Sequence, residues 1–270
     1  MDPLIYELTG VRYAYAGRFP ALCGVDMALR RGEKAVLVGA NGTGKSTLLA
    51  MLDGLIFPDA GALRFDGRDL TEPAFDDPGF SKDFRRRVGF VFQDPDAQLF
   101  CPTVREDIAF GPLQLGMDPA AVETRLEDVT RALGIADLLE RQPHQLSIGE
   151  KKKVALAGVL VLDPEVVLLD EPTAGIDPLT TRHIIDMLCA AAAGGKTIVT
   201  ATHDLHIVEE MADTVVVLGR ERTIRRAGRP SEILGDEQLL WENNLVHIHR
   251  HRHAGRVHEH IHLHSHDHHA

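Results

Sequence analysis

Three features of the sequence predict an α/β fold built on a mostly parallel sheet. Short apolar, β-branched runs alternate with helix-patterned stretches from end to end. One run, "KAVLV", opens directly into the octet Gly39-Ala40-Asn41-Gly42-Thr43-Gly44-Lys45-Ser46 and then into the helix-compatible "STLLAML". Another, "VVLLDEP", ends in the adjacent acids Asp170 and Glu171. A length of 270 residues suits one large α/β domain or two small ones, with room for a substantial core.

The strands expected in order are Lys34–Val38, Val88–Phe92, Val166–Leu169, Thr197–Thr202, Thr214–Leu218 and Thr223–Ala227. Gly54 to Gly67, with Pro58 inside it, reads as turns flanking a short strand near Leu63–Phe65. The stretch Thr103 to Gln142 differs. Apolar residues recur there at i, i+3, i+4 through Val104–Phe110 and Val122–Leu133, so it is expected to be a helical insertion. No internal repeat is visible, and the histidine-rich end is the only low-complexity segment.

Composition sets limits on function. Net charge is −11; the end from His247 onward carries Arg250, Arg252 and Arg256 against Glu259 and Asp267, a sum of +1, which leaves −12 on the body. Duplex binders show the opposite sign, because Lys and Arg neutralise phosphates, so no nucleic-acid partner is expected. The local clusters Arg85–Arg87 and Lys151–Lys153 read as solvated faces. Three widely spaced cysteines (Cys23, Cys101, Cys189) suit reduced thiols. No apolar run approaches the ~20 residues of a membrane span, and Met1-Asp2-Pro3 lacks the pattern of a signal peptide. A soluble, intracellular chain is expected.

The octet Gly39 to Ser46 matches GxxxxGK[ST] between a strand and a helix. In that setting glycines let backbone N–H groups turn around phosphate oxygens, and the helix N-terminus adds a favourable dipole. Lys45 is expected to reach the β- and γ-phosphates, Ser46 to bind Mg²⁺ through its hydroxyl, and Thr47 to belong to the same set. Asp170 can hold the Mg²⁺ water shell, and Glu171 can orient or deprotonate an attacking water. Nucleotide phosphates and Mg²⁺ are what this loop is expected to hold.

Between and after these motifs stand "QLSIGEKKKVALAGVL", "AGIDP" and "TATHD". That order resembles the ATP-binding cassette (ABC) family over residues 4 to about 234. The resemblance implies that the nucleotide is ATP, held by a P-loop ABC-type ATPase domain spanning 1–246, with an antiparallel β portion near the N-terminus and a helical subdomain at about 94–160. It implies two head-to-tail copies, in which Ser147, Gly149 and Glu150 of one face the γ-phosphate held by the other. Ile148 stands where the family usually has glycine, and Glu150 where it commonly has glutamine. By the same resemblance Gln93 is a Q-loop glutamine touching Mg²⁺ or water, Asp177 links the two ATP sites, and His203 contacts the γ-phosphate. Tyr15 is expected as a stacking platform for adenine. The run "FQDPDAQLFCPTVREDIAFGP" resembles the energy-coupling-factor group, which implies integral membrane partner subunits and a peripheral place at the cytoplasmic face of the membrane.

The chain closes on "HEHIHLHSHDHH", and eleven histidines lie between His247 and His269. They are interleaved with other residues, unlike a consecutive purification tag. Imidazole favours borderline divalent ions such as Co²⁺, Ni²⁺ and Zn²⁺, so the tail 247–270 is a candidate metal binder. An extended segment would align His258, His260 and His262; a helix would align His258, His262 and His266. Together with the resemblance, the tail points to import of a divalent metal ion, cobalt favoured over nickel. Two alternatives remain at this stage, a soluble non-transport ABC ATPase and a histidine-tailed metallochaperone NTPase. Against the latter, no NKxD guanine-selecting motif is present.

Overall fold

A computed structural model describes residues 3–253 and 256–263, with side-chain surroundings for 3–246. Two long strands, β1 (Leu4–Tyr15) and β2 (Phe19–Arg30), open the chain as an antiparallel pair. The antiparallel portion that the resemblance implies near the N-terminus is present; the apolar runs by themselves mark no strand ahead of Lys34, and the register explains why. Pairing shifts at Leu8/Val11, Val11/Arg12 and Tyr13/Ala14, so the apolar–polar alternation slips along both strands. After β3 (Lys34–Val38) and α1 (Lys45–Leu52), the strands β4 (Ala60–Phe65) and β5 (Arg68–Asp69) complete an antiparallel sheet of order β2-β1-β4-β5.

The second sheet holds the strands that the apolar runs predict. Helices α2 (Glu72–Phe75) and α3 (Pro78–Arg87) lead into β6 (Val88–Val91). There follow β7 (Val166–Asp170), β8 (Thr197–Thr202), β9 (Thr214–Leu218) and β10 (Ile224–Gly228), in the order β10-β9-β3-β8-β7-β6. All neighbours run parallel except the edge pair β10/β9. Every residue of β7 and β8 is buried, as parallel strands covered on both faces require.

Strand periodicity divides the core in two. Val36 and Val38, Val167 and Leu169, Val215 and Val217 enter one apolar cluster, with Val104, Ile108, Leu126 and Val154 from the helices. Their alternates Ala35 and Leu37, Val166 and Leu168, Val216 and Leu218 enter another, with Leu48 and Leu52 of α1 and Tyr6 and Phe65 of the antiparallel sheet. The parallel sheet is therefore the middle of three layers. Between β6 and β7 lies the helical subdomain of α4 (Val104–Gln114), α5 (Pro119–Leu133) and α6 (Ile148–Leu160). Beyond β7 come α7 (Pro178–Ala193), α8 (Val208–Met211), α9 (Pro230–Leu234) and α10 (Glu237–Glu242). Among the described residues, no helix is long and apolar enough to cross a membrane.

The basic clusters are not simply solvated faces. Arg87 is largely enclosed and pairs with Asp66 at 2.7 Å and Glu165 at 3.0 Å, while Arg85 reaches buried Asp53 at 3.2 Å. Lys152 is buried. The acids these cations meet come from distant parts of the chain, which local charge pattern does not show. At the C-terminus β11 (Val246–His253) and β12 (Arg256–Leu263) pair as an antiparallel hairpin. The side-chain surroundings of the tail histidines, and His266 altogether, lie outside the described residues, so the two alignments that the sequence leaves open stay open.

Candidate nucleotide site

Strand β3 delivers the chain into the loop Gly39–Gly44, which packs too tightly for side chains at two positions. A Cβ on Gly39 would stand 2.6 Å from Thr43 Oγ1 and 2.7 Å from the Leu218 carbonyl oxygen. Gly44 has φ +102°, and a Cβ there would stand 2.5 Å from the Ala21 carbonyl oxygen. Helix α1 follows with no side-chain cap, so its first N–H groups remain available to an anion. The Lys45 ammonium donates to the Gly39 carbonyl at 2.7 Å. Burial pushes this amine below its usual range, against the opposing charges of Glu171 and Asp170.

Strand β7 ends at this loop. Asp170 is buried, and burial raises its carboxyl, opposed by a hydrogen bond from Ser46 and seconded by the charge of Glu171. Its Oδ1 is buried with no hydrogen-bond partner among the described residues. Mg²⁺ prefers hard oxygen ligands. The Ser46 hydroxyl, the unpaired Asp170 oxygen and the Gln93 side chain fit that preference and line one cleft.

Glu171 is held by several groups at once. Its backbone adopts φ 47°, a left-handed conformation that costs a non-glycine residue roughly 1–3 kcal/mol. The Glu171 N–H donates to the Ala201 carbonyl at 2.9 Å, and the Lys152 ammonium donates to the Glu171 carbonyl at 2.6 Å. The carboxylate accepts from Thr202 Oγ1 at 3.2 Å and lies 2.7 Å from His203 Nδ1. This arrangement presents a fixed carboxylate beside the phosphate loop, able to orient a water molecule.

The cleft has a volume of about 510 Å³ and gathers Tyr15, Lys45, Ser46, Thr47, Gln93, Asp170, Glu171 and His203. Tyr15 is 46 % exposed, and its hydroxyl is 3.1 Å from Thr47 Oγ1. Phe19, 69 % exposed, and Arg222 line the same cleft and were not anticipated. Phe19 sits on β2, whose limits the apolar runs do not mark. Lys152 was also missed, although its place one turn before Leu156 puts it on the buried face of α6. A second cavity of about 560 Å³ shares Asn41, Gly42 and His203 with the cleft and is closed by Arg220, Asn244 and Leu245. It lacks Lys45, Ser46 and the carboxylates, so the phosphate chemistry belongs to the smaller space.

Ser147, Gly149, Glu150 and Asp177 do not line this cleft. They form a separate surface at the N-termini of α6 and α7. Ser147 and Glu150 make a reciprocal capping box, in which Glu150 Oε2 accepts from the Ser147 N–H at 2.7 Å. Asp177 caps α7 by accepting from the Thr180 N–H at 3.0 Å. A Cβ on Gly149 would lie 3.3 Å from Thr180, so the two helix starts adjoin. The structure thus brings together the residues of the cleft and leaves these four on another surface.

Comparison with known proteins agrees with this geometry. Residues 22–174 match the family model described as ABC transporter. A nickel import ATP-binding protein of Rhodobacter capsulatus is 49 % identical over 238 residues, covering 87 % of this chain and 93 % of its own. An energy-coupling factor transporter ATP-binding protein of Methanothermobacter thermautotrophicus is 42 % identical over 87 % of this chain and 74 % of its own. Among solved structures, cbiO1 of Clostridium perfringens, part of the cbiONQ ABC transporter complex, superposes with TM-score 0.76 at 36 % identity over 90 % of this chain and 96 % of its own. A cassette solved as a dimer with ADP and Pi gives TM-score 0.74 at 26 % identity over 83 % and 98 % of the two chains. With its P-loop sheet, antiparallel portion and helical subdomain, the chain belongs to the ABC transporter family of ATP-hydrolysing domains.

Proposed function

We propose that this ATPase energises import of a divalent transition-metal ion through integral membrane subunits, working from the cytoplasmic face as a head-to-tail pair. The ATPase unit spans 1–246 and the tail 247–270. The 49 % likeness to a nickel import ATP-binding protein carries the cargo half of this reading. The resemblance to the energy-coupling-factor group favours cobalt over nickel, and both are borderline ions of one ligand preference.

The site supports the hydrolytic half. Backbone N–H groups of Gly39–Gly44 and Lys45 hold the phosphates, Ser46, Gln93 and Asp170 hold Mg²⁺, and Tyr15 receives the adenine. When bound, Mg²⁺ neutralises charge on the phosphate oxygens. Glu171 orients the attacking water, with His203 and Thr202 fixing its carboxylate. Ser147, Gly149 and Glu150 close over the γ-phosphate of a second copy, and Asp177 joins the two sites. Ile148 and Leu179 are 45 % and 81 % exposed at this surface, apolar groups that a second copy would cover. Phe100 and Phe110 stack edge-on at 5.0 Å while remaining exposed, which suits a partner helix lying along the subdomain. The C-terminal histidines bind the same class of ion.

The test is reconstitution with the membrane subunits in vesicles, measuring ATP-driven uptake of radioactive cobalt and nickel. Uptake of either ion, abolished in Lys45→Ala, is expected. Hydrolysis stimulated by the partners without uptake of either ion would overturn the cargo assignment and leave the ATPase intact.

A further inference from the structure

Two buried lysines flank the acids at the end of β7. Lys45 comes from the phosphate loop and lines the cleft, whereas Lys152 comes from α6 and does not. Lys152 is 5 % exposed, and its ammonium donates to the Glu171 carbonyl at 2.6 Å. Burial pushes this amine below its usual range, and the charges of Glu171 and Asp170 oppose the shift. A buried ammonium is costly unless hydrogen bonds and opposite charge compensate it, so its place beside these acids is a specific arrangement. It takes no part in the proposed hold on phosphates and Mg²⁺.

The carbonyl it meets belongs to a left-handed residue, with φ 47°. Such a backbone persists only where its surroundings over-determine it. The Glu171 N–H is taken by the Ala201 carbonyl at 2.9 Å. The Glu171 carbonyl accepts from Lys152 Nζ and from the Ala174 N–H, the latter at 3.2 Å. Bonds on both sides of the Cα thus fix the direction in which the side chain leaves, and Thr202 Oγ1 and His203 Nδ1 then meet the carboxylate. Ala201, Thr202 and His203 stand at the end of β8, while Lys152 is the partner that the helical subdomain supplies.

We propose that Lys152 is a positioning residue for hydrolysis, holding the Glu171 carbonyl so that the carboxylate stands where it orients water. This rests on the reading of Glu171 as the group that orients water. It also links the two nucleotides of a head-to-tail pair. Helix α6 opens on the Ser147–Glu150 capping box, the part proposed to meet the second copy's γ-phosphate, and Lys152 ties the same helix to this chain's own carboxylate.

Steady-state hydrolysis and nucleotide affinity of the full chain test this. Lys152→Met should lower kcat about 10- to 100-fold, the cost of slightly misplacing a group at the reacting centre, with ATP affinity within about twofold of wild type. Lys152→Arg, which keeps a charged donor, should recover most of the rate. Lys152→Gln, polar and uncharged, should behave as Lys152→Met does, and it decides the matter where the methionine variant does not fold. Near-normal turnover of an uncharged variant would overturn the proposal. Equal loss of affinity and rate would also overturn it, leaving Lys152 a packing residue.

A mixed pair separates the two ends of this link. In a mixture of Lys45→Ala and Ser147→Arg proteins, the intact site combines the Ser147→Arg chain's Glu171 with the α6 start of the Lys45→Ala chain. Adding Lys152→Met to the Ser147→Arg chain should depress activity, and adding it to the Lys45→Ala chain should not. An equal or reversed effect would place its action on the start of α6 and overturn the positioning role. Normal turnover in Glu171→Gln would remove the reading of Glu171 and this proposal with it. Normal turnover in Lys152→Met beside a silent Glu171→Gln would remove this proposal alone.

Discussion

Glu171 combines a left-handed backbone with a carboxylate held by Thr202 and His203, so its geometry is set by the chain's own groups. Glu171→Gln keeps the shape and loses the charge proposed to orient water. ATP binding should survive while steady-state hydrolysis falls at least ~100-fold. Near-normal turnover would remove Glu171 from this role. A second residue-scale outcome concerns pH. Burial at the end of α1 pushes the Asp53 carboxyl up to about 7, with Arg85 opposing the shift. Its pKa is higher folded than unfolded, so the folded protein holds the proton more tightly. That contribution to stability is present at acid pH and is lost as pH rises from ~4 through 7. In Asp53→Asn, chemical-denaturation curves across this range should lose that downward component; an unchanged slope would count against it. The cleft was largely legible in the sequence, because phosphate loops and strand-end acids are contiguous signals. Lys152, Phe19 and Arg222 were not, because their roles arise from elements far apart in the chain that meet only on folding.

Helix α6 is the element that touches most of the machinery. Its first turn carries the Ser147–Glu150 capping box, Lys151 pairs with Asp96 at 2.6 Å, and Lys152 holds the Glu171 carbonyl. Gln98 ties the loop after β6 to the same helix, donating from Nε2 to the Ala155 carbonyl at 3.0 Å and accepting the Phe92 N–H at 3.2 Å. Gln93, next to Phe92, is thereby linked to α6. Gln98→Leu should leave nucleotide affinity unchanged but reduce stimulation of hydrolysis by the membrane subunits about fivefold or more, within the ordinary range of coupling energies. Equal stimulation in wild type and variant would show that the link carries nothing. Elements of one unbroken period, such as α5 and β8, could be read directly from the sequence. β1 and β2 could not, because repeated register shifts erase their alternation.

At the scale of the molecule, Ser147, Gly149, Glu150 and Asp177 lie away from the cleft, and the proposed head-to-tail pair would bring them to the cleft of a second chain. Lys45→Ala and Ser147→Arg proteins should each be inactive. Mixed, they should regain activity through the one composite site that keeps both motifs, reaching at most about half the wild-type rate in a mixed dimer with one intact site of two. Mixtures as inactive as their components would argue against the trans arrangement. Deleting 247–270 should leave basal hydrolysis nearly unchanged, since the residues lining the cleft all precede the tail; a collapse of activity would make the hairpin part of the ATPase. The acidic body was legible as a global property. The meeting of Arg87 with Asp66 and Glu165 was not, because partners 21 and 78 residues apart leave no trace in composition.

Strand β3, which launches the phosphate loop, has both of its neighbours far downstream, β8 on one side and β9 on the other. Gly32, just before it, bonds to Thr197 across 165 residues, and Lys34 to Asp213 across 179. During synthesis the loop therefore leaves the ribosome long before the strands that brace it, and its closure waits on nearly the whole body. A chain ending before Thr214 lacks one side of β3 and should neither retain ATP nor resist proteolysis around Gly39–Ser46. One completed through Val246 should do both.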